Sequence, residues 1–154
     1  MSAVQTFRRL AAIGVMAGVV MTGDARAAVS CHKINARGVG EDLGGGATVA
    51  KIFGGGLLQG TTAAQFIITD ISGTVASFEG TVTFTTNRAT LTVTITGTLD
   101  LGTGAFSASG PVTDAKGKLE GATGSLAFDG IQDLATGTFE EVVVGEICVD
   151  LSPQ

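Results

Sequence analysis

The chain has 154 residues, a formal net charge of −5, 24 glycines, two prolines and 44% hydrophobic residues. Its acidity opposes nucleic acid and anionic lipid as partners, because their phosphates are neutralised by Lys and Arg. Its apolar content and scarcity of proline are wrong for a disordered chain, and its length suits one domain with its own core.

The first 27 residues read as a secretory signal peptide. Arg8 and Arg9 form a positive start, Leu10 to Met21 an apolar run, and Ala25-Arg26-Ala27 a cleavage site with small residues flanking a bulky one. The run is shorter than the roughly 20 residues a spanning helix needs, which argues against a membrane anchor. Ala28-Val29-Ser30 before Cys31 lacks the leucine of a lipoprotein site, and the Arg8-Arg9 pair lacks the rest of a twin-arginine signal. The expectation is a secreted or periplasmic protein beginning at Ala28, more negative still after loss of three arginines and one aspartate, with no membrane insertion of the mature chain.

Cys31 and Cys148, the only cysteines, stand near the two ends of segment 28–154. In an oxidising compartment a disulfide is expected, the alternative being two separately buried thiols. Such a bridge would set the first and last strands side by side, as closure of a barrel requires.

Strand-like runs follow at Ala47 to Phe53 and Ala63 to Ile71, after glycine clusters at Gly44 to Gly46 and Gly55 to Gly60. The stretch Gly55 to Thr62 superficially resembles a phosphate loop, but Thr61 stands where the lysine belongs, so it reads as a flexible loop. Period-two alternation is clearest next. Val82 and Phe84 alternate with Thr81, Thr83 and Thr85; beyond Thr86 to Ala89, Leu91, Val93, Ile95 and Leu99 alternate with Thr90, Thr92, Thr94, Thr96 and Thr98. This is a hairpin with one apolar and one hydroxyl face. Further strands are expected at Gly104 to Val112, Gly124 to Phe128 and Thr138 to Val149. Segment 28–154 has no helical stripe, so the fold class is all-β: a single antiparallel barrel, or else a β-sandwich.

A partial repeat marks two breaks. Asp100-Leu101-Gly102-Thr103-Gly104-Ala105-Phe106 returns as Asp133-Leu134-Ala135-Thr136-Gly137-Thr138-Phe139. Asp can cap a turn and the fifth-position Gly can take positive φ, so both copies read as equivalent hairpin turns.

Catalytic and metal-binding patterns are thin. His32, the only histidine, follows a cysteine expected to be disulfide-bonded, and one His with two distant Cys supplies no zinc cluster. Asp100, Asp129, Asp133, Glu140 and Glu141 do not match a calcium-loop spacing, and Asp at a turn start already has a structural role. No catalytic residue, metal or cofactor is therefore assigned. Seven phenylalanines remain after the signal: Phe53, Phe66, Phe78, Phe84, Phe106, Phe128 and Phe139. Without Trp or Tyr they make a sugar-stacking surface a poor reading. They are either core or the lining of an apolar ligand cavity.

The segment Gly110-Pro111-Val112-Thr113-Asp114-Ala115-Lys116-Gly117-Lys118-Leu119-Glu120-Gly121-Ala122-Thr123-Gly124-Ser125-Leu126 resembles bacterial proteins of the allene oxide cyclase and dirigent barrel type, in which a Gly-rich turn and a small-residue triplet precede a strand. The similarity runs from about Gly97 to Cys148. It implies an eight-stranded barrel with an apolar interior, in which family members hold reactive substrates during cyclisation or steer radical coupling. The polar and Tyr positions those enzymes use have no match here, so no site residue carries over.

Three functions follow. The first is a barrel that binds an apolar small molecule or is structural, without catalysis; the second is a cyclase or isomerase working by substrate confinement. The third is an envelope or surface protein using its Thr-rich exterior. A hollow interior separates the first two from the third, and polar groups converging within it separate the enzyme from the carrier.

Overall fold

A computed structural model describes residues 28–152; the segment read as a signal peptide lies outside it. Eight strands run in sequence order: β1 (Ser30–Gly44), β2 (Ala47–Phe53), β3 (Gly60–Ser72), β4 (Val75–Thr85), β5 (Ala89–Asp100), β6 (Ala105–Gly117), β7 (Thr123–Gln132) and β8 (Thr138–Val149). Each pairs antiparallel with the next, and β8 pairs with β1, so the sheet is a closed barrel and not a sandwich. Closure leaves no edge strand to be protected.

The β4–β5 hairpin sets the expected apolar residues on one face, with Val82 opposite Val93 and Phe84 opposite Leu91. All four, with Ile95, are buried. A one-residue slip would turn this set into water, which fixes the register. On the outer face Thr83 and Thr92 hydrogen-bond across the strands at 3.0 Å, and Thr94 bonds Thr113 on β6 at 2.9 Å. The sequence reading places a first strand at Cys31 but gives β1 no extent, its alternation being broken by inward Gly38 and Gly40, and it ends β6 and β7 several residues early.

The two Asp-containing repeats do form equivalent turns. Gly104 N–H donates to the Asp100 carbonyl and Gly137 N–H to the Asp133 carbonyl, both at 2.7 Å, and both glycines have φ of 79°. In each, the Asp carboxylate accepts a backbone N–H two residues on.

The barrel's two ends differ. At the end carrying the chain termini, Leu58 of a short 3-10 turn (Gly56–Leu58) and Leu119 of the β6–β7 turn are buried over Phe84, Leu91, Val143 and Ile147, a solid plug. The glycine stretch expected as a flexible loop thus supplies a core residue. Cys31 and Cys148, directly opposite on β1 and β8, are disulfide-bonded across 117 residues of sequence. At the other end, formed by the β1–β2, β3–β4, β5–β6 and β7–β8 hairpins, the interior is not filled.

Candidate ligand cavity

The unfilled end is a cavity of about 160 Å³ to which every strand contributes. Thr62, Val82, Ile95, Ala108 and Phe128, all buried, line its depth; Phe66, Phe78, Phe106 and Phe139 form its walls. Gln132 and Asp42 sit near the opening, where the Gln132 amide donates to the Asp42 carboxylate at 3.2 Å. Phe66 packs edge-on to Phe78 at 5.2 Å and Phe106 edge-on to Phe139 at 6.0 Å between ring centres. Those last two rings are the seventh residues of the repeats, so equivalent turns deliver equivalent aromatics to the same mouth.

Glycines make the room. On three strand pairs inward glycines lie beneath large inward side chains of the neighbouring strand: Gly80 opposite Phe66, Gly130 opposite Phe106, and Gly40 and Gly38 opposite Phe139 and Glu141. A Cβ at Gly38 would stand 2.7 Å from Glu141 Cγ, and one at Gly130 2.5 Å from the Phe106 ring. Covering strand glycines with rings in this way restores contact area the glycines lack.

Five of the seven candidate phenylalanines are brought together at the cavity: Phe66, Phe78, Phe106, Phe128 and Phe139. Phe84 is not on the wall. It is fully buried in the plug beneath, 6.1 Å from Phe128. Phe53 points outward and is 51% exposed, because Ala50 and Ile52 take the inward positions of β2 and the next residue must face solvent.

The acidic residues separate by role. Asp100 and Asp133 cap turns, Asp129 accepts a hydrogen bond from Ser107 on the outer face, and Glu140 is exposed. Glu141 alone turns inward, on the same side of β8 as Phe139, Val143 and Ile147, and lines the cavity. Burial pushes its carboxyl up from 4.5 to about 7, with no hydrogen bond or positive charge opposing the shift. The signal was present in the sequence: extending the Phe139, Val143, Ile147 alternation passes through position 141.

Of the described His, Cys, Asp and Glu residues, only Cys31, Glu146 and Cys148 gather at metal-ligand spacing, and both sulfurs are committed to the disulfide. The mouth is electrostatically one-sided. Its four hairpins bring Asp42, Asp70, Asp100 and Asp133, while the described cations are on β1 and β2 (Lys33, Arg37, Lys51) or around the opposite-end turns (Arg88, Lys116, Lys118). Each hairpin also carries an exposed aliphatic: Leu43, Ile71, Leu101 and Leu134. No helix among the described residues is long and apolar enough to cross a membrane. No protein-family model, curated protein or solved structure matches the chain.

Proposed function

We propose that the protein is an exported barrel that binds a small apolar molecule in its open end. The observation that carries this reading is the division of the interior into a solid plug and an aromatic-lined cavity of about 160 Å³. A core serving stability alone would be filled throughout, since each unfilled methyl-sized void costs about 1 kcal/mol. The volume is below the several hundred Å³ typical of drug-sized ligands and close to that of an apolar cavity that takes up benzene. The occupant, or the part of it that enters, is therefore about one ring in size. Export is supported by the disulfide, which persists in oxidising compartments.

Native mass spectrometry of protein purified from its own host tests the reading. A non-covalent adduct of low mass that disappears in Ala64→Leu, a substitution filling the cavity from β3, is expected; wild type found only at its bare chain mass, or an adduct retained by the variant, would contradict it.

A second reading, an isomerase acting by confinement, is favoured by Glu141, since a carboxyl titrating near 7 in an apolar site suits proton transfer. It requires that Glu141→Gln hold the same adduct but leave it chemically unchanged over time, where the wild type converts it.

A further inference from the structure

We infer that the occupant is a small apolar amine bound as its ammonium ion, with its hydrocarbon body among Phe66, Phe106 and Phe128 and its charged head against the Glu141 carboxylate. This rests on the reading of the cavity as a ligand site and adds the ligand's chemical class.

Three observations support the class. Glu141 occupies an inward position where an apolar side chain is the default, and Gly38 across the strand pair leaves the space its side chain fills. Among the described residues no Lys, Arg or His lines the cavity; Asp42 at its opening is the only other titratable group of those residues there, and its carboxylate is engaged by Gln132 and the Gly44 N–H. None of the described residues supplies a cation to Glu141, so a positive partner for its carboxylate would come with a ligand. Finally, the mouth bears an Asp on each hairpin and, among the described residues, no Lys or Arg, a field that concentrates cations and repels anions at the entrance.

The energetic argument is one of preorganisation. A carboxylate partly withdrawn from water has lost much of its hydration on folding, so an arriving ammonium bears mainly its own desolvation and gains a charge-assisted hydrogen bond. A neutral alcohol gains an ordinary hydrogen bond, and a carboxylate ligand faces both Glu141 and the acidic mouth.

Benzylamine, benzyl alcohol and benzoate share one ring and differ in head-group charge. Titrating each into the full chain near pH 8 by calorimetry or NMR separates the possibilities. Benzylamine is expected to bind at least about tenfold more tightly than benzyl alcohol, a typical charge-assisted advantage, and benzoate most weakly. Glu141→Gln is expected to erase the amine's advantage while changing alcohol affinity by less than about threefold, with Glu141→Met as the second variant should the first not fold. Equal affinities for amine and alcohol, or an amine preference that survives loss of the carboxyl, would overturn the inference and leave the cavity reading standing. Failure of all three to bind wild type at millimolar concentration would overturn both.

Discussion

At the scale of single residues, Glu141 carries the most chemistry. Its carboxyl holds a proton up to about pH 7 in the folded chain, against an ordinary value of 4.5. Between those values Glu141 binds more protons in the folded state than in the unfolded one, so its contribution to stability falls as pH rises from 4.5 to 7 and is level outside that window. Glu141→Gln removes the penalty. It should leave stability unchanged relative to wild type below pH 4.5 and raise it above pH 7 by about 1–3 kcal/mol, the upper figure discounted for cavity solvent. Urea unfolding at both ends of the window checks this, and a pH-independent difference between the two proteins would be inconsistent with it.

The phenylalanines divide by the same logic of place. Phe84, fully enclosed in the plug, should cost about 3–5 kcal/mol when changed to Ala. Phe106, on a wall already facing open space, should cost clearly less and weaken ligand binding instead. Thr83→Ala loses one half-buried cross-strand hydrogen bond and should stay within about 1 kcal/mol. A Thr83 change as costly as Phe84→Ala would mean the two faces of the hairpin are misassigned.

At the scale of elements, the repeat offers a controlled comparison. Gly104 and Gly137 share one φ and one hydrogen bond, yet a Cβ at Gly104 would collide with the Gln132 carbonyl, whereas at Gly137 it would find its nearest neighbour at 3.5 Å. Gly137→Ala should therefore cost about 1–2 kcal/mol, the left-handed backbone strain alone. Gly104→Ala should cost more, as thermal unfolding would show. Much of this architecture was legible. Period-two alternation gave the β4–β5 hairpin its two faces, the repeat gave two equivalent turns, and the paired cysteines gave adjacency of the terminal strands. The extent of β1 escaped because a strand whose inward positions are glycine shows no apolar alternation. That hid the course of β1 beyond His32, and with it the complement of Gly38 and Gly40 to Glu141 and Phe139. Phe53 went astray because aromatic character was read without the parity set by Ala50 and Ile52.

At the scale of the whole molecule, the barrel is a closed cup. The disulfide ties the termini at the plugged end, and the chain-entropy model for so long a loop allows at most about 4–5 kcal/mol from it. Because β1 and β8 stay paired along most of their length, the Cys31→Ala, Cys148→Ala double variant should lose part of that stability while keeping the cavity and its ligand affinity. The open end combines aromatic walls, a lone inward carboxyl and an acidic rim. The hydroxyl rows of β4 and β5 face the other way, into solvent.

The most direct test of the cup is a chemical-shift map of the isotope-labelled protein titrated with benzylamine. Saturable changes should gather at Phe66, Phe106, Phe128 and Glu141, leave the outer threonines Thr83 and Thr92 unmoved, and vanish in Ala64→Leu. Shifts confined to the outer threonine rows, or a titration unaffected by filling the cavity, would contradict a ligand site inside the barrel.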